Sequence, residues 1–306
     1  MYVSILDTNA LRGMSQEEYS LLTTLEAAHG ICRYTDVWTL MELIAHLRRG
    51  ADAAYWQCRK AVRRCAESAL LPLHQAPRLV VPPELQLSNL LFDVVLPYHA
   101  VLSYHVKNVA VLVELAQRIA TADDADDLAD VQEDILAVAE HVDQKEIWFA
   151  EYFENLRNQV RLSTVSSTNS ERNAAIRAFT RSKSMMCLDA IALITRTYLQ
   201  AGVTVPQTIP IAVINRVLAM SRAGSVAVGL LLERIFCDNA SLDKPRIRNL
   251  LWDQEIASSM GSTIKGLPVV LVTDDGFFAE VARLAGSAPS VYSLEKYLAK
   301  LTLDAV

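Results

Sequence analysis

Asp7 closes a short apolar run, Tyr2-Val3-Ser4-Ile5-Leu6, and the small polar pair Thr8-Asn9 follows it. Near the other end of the chain, Leu267-Pro268-Val269-Val270-Leu271-Val272 runs into Thr273-Asp274-Asp275. Glu42 and Asp253 are two further acids set among apolar neighbours at helical spacing. A single acid after a strand reads equally well as a helix cap or turn residue. Several brought together repel, and are tolerated where a divalent cation lies between them. A donor set of oxygens alone selects Mg²⁺ or Mn²⁺ over zinc. A cation so held suits phosphodiester hydrolysis, because it lowers the pKa of water and stabilises charge on the leaving oxygen.

The elements that carry these acids follow from pattern. Residues 2–6 have the character of a buried parallel strand. In open α/β sheets ligands bind where such strands end. A helix is predicted over residues 15–28, Gly30 stops it, and residues 31–35 read as a second strand. In residues 36–47 Val37, Leu40, Met41, Ile44 and Leu47 recur at helical spacing. Thr35 or Asp36 can cap that helix, and Thr39 with Glu42 offers a second capping box. Residues 51–244 carry no convincing strand pattern. Helical periodicity runs through 53–70, 88–120, 126–160, 170–200 and 210–237, about five long helices. The breaks are a proline-bearing connector at 72–83, an acidic turn at 121–124, a Ser/Thr/Asn-rich loop at 162–170 and an apolar connector at 202–210. The end of the chain alternates again: helix 245–260, strand 267–272, helix 277–285, strand 290–292, helix 294–301. The predicted class is α/β. A small parallel-sheet domain, residues 1–50 and 245–306, is interrupted by an all-α insertion, residues 51–244, and helix dominates overall.

Composition narrows the classes. A chain of 306 residues, 52% hydrophobic and 21% charged, has ample material for a packed core. Only 10 glycines and 10 prolines favour helix. A net charge of −6 excludes a polybasic nucleic-acid binder, though not a nuclease whose clustered acids add negative charge. Five scattered cysteines without a C-x-x-C pair argue against a disulfide framework or zinc knuckle and for a reducing compartment. The most apolar long stretch, residues 90–115, contains Asp93, Pro97, His99, His105 and Lys107, which does not suit a membrane span. A cytoplasmic location is expected.

Taken in order, the acidic segments resemble the PIN domain of metal-dependent ribonucleases. Asp7-Thr8-Asn9-Ala10-Leu11 is similar to that family's opening motif, and Thr39-Leu40-Met41-Glu42-Leu43 to its second. Trp252-Asp253-Gln254-Glu255-Ile256-Ala257 resembles the third, and Val272-Thr273-Asp274-Asp275-Gly276-Phe277-Phe278 the last. The resemblance implies a PIN-like, Rossmann-like fold in which Asp7, Glu42, Asp253 and Asp275 hold Mg²⁺ or Mn²⁺. Thr8, Asn9, Thr273 and Asp274 would be supporting polar residues. It also implies hydrolysis by water without a covalent intermediate, RNA as a better substrate than DNA, and a tendency to dimerise. It covers only about the first 50 and last 60 residues, enough for one small domain. The long middle departs from the family and is expected to choose the substrate, cover the site or bind a protein partner or inhibitor. Cys187-Leu188-Asp189-Ala190-Ile191-Ala192 also resembles the third motif. Asp253 is preferred because the strand bearing Thr273 follows it closely.

Positive charge concentrates at Arg48, Arg49, Arg59, Lys60, Arg63 and Arg64. Arg59 with Arg63 and Lys60 with Arg64 share a helical face. These six are the candidate nucleic-acid grip, against the plainer reading of a solvated face. Trp38, Trp56 and Trp252 could stack on a base or fill the core. His99 and His105, six apart, are poorly spaced as ligands. Walker, dinucleotide and G-x-S-x-G patterns are missing. Asp123-Asp124 and Asp126-Asp127 lack the glycine and final glutamate of a calcium loop. One rival is an inactive PIN scaffold whose helical part binds a partner. The other is an aspartyl-nucleophile phosphatase, which wants a second Asp where Asn9 stands.

Overall fold

The computed structural model describes residues 1–48, 53–69, 78–80, 87, 91, 98–123, 128–163, 168–237 and 245–304. Its central strand is β1 (Val3–Leu6), buried along its whole length. β1 pairs in parallel with β2 (Cys32–Asp36) on one side and β5 (Leu267–Val272) on the other. β3 (Leu79–Val80) adds a parallel edge beyond β2. β4 (Thr263–Ile264) lies antiparallel to the start of β5, and β6 (Val291–Tyr292) lies parallel to its end. The sheet is therefore small and mixed rather than purely parallel. β3 corrects the expectation of no strand between residues 51 and 244. Two residues are too few to show a period.

Helices dominate the chain around this sheet. They are α1 (Thr8–Gly13), α2 (Gln16–Ala28), α3 (Val37–Ala45), α4 (Ala53–Ala69), α5 (Tyr98–Thr121) and α6 (Gln132–Ser163). After them come α7 (Asn169–Thr180), α8 (Lys183–Gln200), α9 (Ile211–Cys237), α10 (Pro245–Ala257), α11 (Gly276–Ala285) and α12 (Leu294–Asp304). Residues 170–200, read as one block, are two helices. Arg181 ends α7, and the Ser182 hydroxyl accepts the Met185 N–H at 3.2 Å to start α8. α1 is a single short helix that periodicity could not reveal, and Asp7 is its N-cap. Asp36 caps α3 by accepting the Trp38 N–H at 2.8 Å. The second capping box does not form, because Thr39 is fully buried inside α3 and Glu42 turns to α1 instead. Most of the connector at 72–83, residues 124 and 126–127, and residues 164–167 of the polar loop lie outside the described residues, as do the side chains of His99 and His105.

Both faces of the sheet are covered by the long middle helices. One core joins Ile5, Val269 and Leu271 to Leu231 of α9, Ile256 of α10 and Phe278 of α11. The other joins Leu6 and Val272 to Leu40 of α3, Val62 of α4, Ile119 of α5 and Ile135 of α6. α9 is long and apolar enough to cross a membrane. It packs instead as a core helix against α7, α8, α10 and α11. A buried polar knot fixes β1 against its flanking helices. Glu26 accepts from Ser4 at 2.6 Å, Arg33 Nε at 2.9 Å and Tyr297 at 3.1 Å.

Arg64 of α4 determines where α1 sits. Its guanidinium donates to the carbonyls of Leu11 and Met14 at 2.8 Å each and of Ser15 at 3.0 Å, tying the end of α1 to the start of α2. Arg64→Ala is expected to cost about 3 kcal/mol in urea unfolding, since it strands the buried carbonyls of Leu11 and Met14, while that of Ser15 can turn to water. Arg64→Lys should recover only part of this, because an ammonium cannot span three acceptors in a plane.

Candidate active site

β2 and β5 flank β1 on opposite sides, which makes the carboxyl ends of β1 and β5 a switch point, the place where open α/β sheets bind ligands. Leu6 lies opposite Val272, which brings Asp7 and Thr273 off adjacent strands at one level. The Thr273 hydroxyl donates to Asp7 Oδ2 at 2.5 Å, and Asp7 Oδ1 accepts the Ala10 N–H at 2.7 Å. Asp7 is 2% exposed. Thr8 donates to Glu42 Oε2 at 2.6 Å, joining α1 to α3. Asp275 caps α11 through the Phe277 N–H at 2.7 Å, and its own N–H donates to Thr273 Oγ1 at 3.0 Å. Thr273 therefore couples Asp7 to Asp275.

Electrostatics define how these acids group. Burial first, then the charges of Glu42 and Asp275, push Asp7 up to about 7 despite its bonds to Thr273 and Ala10. Asp253, on α10, is raised to about 8, first by burial and then by Asp275, Glu42 and Asp7. Burial also raises Glu42, opposed by the Thr8 hydroxyl and the Arg12 guanidinium. Acids from opposite ends of the chain, Asp7, Glu42, Asp253 and Asp275, thus share one electrostatic neighbourhood. Asp189 does not belong to it. Its carboxylate accepts from Ser225 at 2.6 Å, and its charged neighbours are Arg196 and Glu255. Asp36 at the end of β2 is also pushed to about 7 by burial, but its neighbours are Glu255 and Lys145. Asn9 and Asp274 are exposed and leave the bonding to Thr8 and Thr273.

Most of the expected basic strip is structural. Arg59 donates to the Asp123 carbonyl at 2.5 Å, and Arg63 to those of Ala120 and Ala122 at 3.1 Å each. Both close the carboxyl end of α5, where unpaired carbonyls and the helix dipole attract cations. Arg64 holds α1, as described above, and Arg48 pairs with Asp143. Lys60 is exposed, and Arg49 lies outside the described residues. A charge run in sequence carries no information on the carbonyls it meets. Trp38 and Trp252 are buried against each other with ring centroids 5.6 Å apart, which leaves Trp56, half exposed, as the accessible ring of the three.

The cations that do face the acids are Arg12 and Arg234, which sequence reasoning passed over. Arg12 lies beside Glu42, and its Nε is buried without a hydrogen-bond partner. It stands four residues after Thr8 on one helical face, a signal hidden because α1 is so short. Arg234, in the last turn of α9, opposes the rise of Asp253, covers the Phe277 ring at 5.3 Å and pairs with Glu280 at 3.8 Å. Nothing in its local sequence marks it.

The donor set suits a hard cation. All four acids offer oxygen, and the raised carboxyls report a shortage of nearby positive charge. Among the described residues no three metal-ligating side chains converge on one point. Mg²⁺ asks for less than that, taking one or two carboxylates and keeping several waters. No family model, curated protein or solved structure matches this chain.

Proposed function

We propose that the chain is a PIN-like, Mg²⁺- or Mn²⁺-dependent nuclease, acting on RNA in preference to DNA and working in the cytoplasm. The observation that carries this reading is the gathering of Asp7, Glu42, Asp253 and Asp275 at the switch point of the sheet, with Asp7 and Asp253 held far above the usual carboxylate range. Asp7 and Asp253 are the principal ligands, with Glu42 and Asp275 beside them. A divalent cation held there would supply positive charge for the phosphodiester oxygens and lower the pKa of water. Thr273 orients Asp7, and Thr8 orients Glu42. Arg12 and Arg234 receive the phosphates on either side of the acids, which bare carboxylates alone would repel. α9 and α10, both from the long middle and its end, bring Arg234 and Asp253 to the sheet.

The reading is tested by cleavage of labelled pooled RNA and single-stranded DNA with Mg²⁺, Mn²⁺ or EDTA. It requires metal-dependent cleavage that EDTA abolishes, with RNA cut faster. No cleavage of either polymer under any metal would overturn it. Arg12→Ala is expected to weaken RNA binding about tenfold and to lower the salt slope by about one. Filter binding across a salt series checks this. Thermal unfolding should fall only modestly, because Arg12 leaves its buried Nε unbonded but offsets part of the cost of burying Glu42.

A further inference from the structure

A cavity of about 510 Å³ opens at the sheet edge opposite the acids. Tyr2 just before β1, Pro268 and Val269 at the start of β5, Met260 after α10 and Ser287 after α11 form its walls, with α9 and α12 on either side. A strand of four residues, roughly 13 Å, separates Tyr2 from Asp7, while Tyr292 on another wall accepts the Thr273 N–H at its carbonyl, 2.9 Å, and so links the cavity to the acidic end of β5.

Its charge is the reverse of the acidic site's. Among the described residues its ionised lining is Arg222 of α9 and Lys300 of α12, with no carboxylate. Arg222 is exposed and forms no ion pair with any described residue. Lys300 meets Asp304 one helical turn on, a surface pair that a ligand anion displaces easily. Ser287 Oγ in the lining is buried and has no hydrogen-bond partner, whereas the Tyr2 hydroxyl turns to that of Tyr297. Buried hydroxyls without partners are rare in folded proteins and ask for an explanation. Gly261, at φ +73°, keeps the wall facing Ser287 open. A Cβ there would stand 3.4 Å from the Ser287 Cβ and 4.0 Å from its Oγ. Most of the remaining lining is apolar or aromatic, with Met260, Val269 and Tyr292 among it, and the Ser290 hydroxyl there is spent on the Ser287 carbonyl.

We propose that this cavity binds an organic phosphate of mononucleotide size. Two cations from different helices plus a free hydroxyl match the three oxygens and near-double charge of a phosphate monoester better than they match a single carboxylate. The volume lies within the range of small-ligand sites, and the apolar and tyrosyl walls suit a flat, uncharged remainder. This proposal is independent of the nuclease reading.

The test is isothermal titration of the full chain, in EDTA to silence the acidic site. The probes are the four ribonucleoside monophosphates, ribose 5-phosphate, inorganic phosphate and adenosine. At least one nucleoside monophosphate should bind about tenfold more tightly than inorganic phosphate or adenosine. Arg222→Ala and Lys300→Ala should each weaken that binding about tenfold, a change of 1.4 kcal/mol in binding free energy. Ser287→Ala should weaken it less, and Asp253→Asn should leave it unchanged. Absence of binding by every phosphate probe at millimolar concentration would overturn the proposal. So would binding that Arg222→Ala leaves intact, or that Asp253→Asn removes.

Discussion

At about pH 8, with chelator present, Asp253→Asn protein is expected to unfold at a higher temperature than wild type. A surface substitution usually stays within about ±0.5 kcal/mol, so a larger gain would mark Asp253 as a buried, repelled carboxylate. The Asp253 carboxyl is near 3.8 in an open chain and about 8 in the fold. The fold therefore favours its protonated form. That contribution is fully present below about pH 4 and is lost as pH rises through about 8. Asparagine has similar shape and no charge, so it removes the loss. The full gap between the two states amounts to several kcal/mol. With water reaching the exposed edge of Asp253, about 2 kcal/mol is expected, on the order of 5 °C in melting temperature. The difference should shrink steadily toward about pH 4, where both proteins carry a neutral group. Mg²⁺ or Mn²⁺ should reverse the order, because a cation stabilises the wild-type carboxylates and gains less from the amide. Differential scanning calorimetry across pH, with and without divalent cation, reads all of this.

The same chemistry sets the largest effect on activity. Asp7→Asn is expected to lower kcat by at least 10²-fold while leaving the fold intact, the size of loss that follows removal of a group stabilising transition-state charge. Its Oδ1 still accepts the Ala10 N–H, so α1 keeps its cap. Thr273 Oγ1 already accepts from the Asp275 N–H at 3.0 Å and can rotate to accept the new amide as well. What disappears is the negative charge. RNA binding should therefore persist or strengthen, since one repulsive charge is removed and Arg12 and Arg234 remain. A KM raised together with a preserved kcat would place Asp7 in substrate binding rather than in the chemical step. Glu42→Gln should act in the same direction with a smaller loss, because Thr8 already holds one of its oxygens.

How far the sequence could be read depended on the length of each signal. β1 and β5 are continuous apolar runs ending in acids, and both lie where the pattern puts them. α2, α4 and α9 carry long periods or caps and begin and end near their expected limits. α1 and β3 are too short for any period. The α1 helix is what turns Asp7 into a cap and sets Arg12 beside Glu42. The adjacency of Asp7 and Thr273 rests on the Leu6–Val272 register, which no local pattern encodes. Arg59, Arg63 and Arg64 mislead because charge says nothing of burial, and their partners are carbonyls whose positions depend on the fold. The choice between Asp253 and Asp189 was open to sequence reasoning only through connection length. In the fold Asp253 neighbours Asp275, Glu42 and Asp7, and Asp189 neighbours Arg196 and Glu255.

The proposed centre is a divalent cation held by Asp7 and Asp253, with Glu42 and Asp275 beside them. Calorimetric titration with Mn²⁺ near pH 7, repeated in two buffers of different ionisation enthalpy, tests it most directly. The account predicts binding with net release of protons, because Asp7 and Asp253 are still partly protonated at that pH and must ionise to hold the metal. Asp253→Asn should remove most of both the binding and the proton release. Mn²⁺ binding without proton release, binding unchanged by Asp253→Asn, or no binding at all would contradict it.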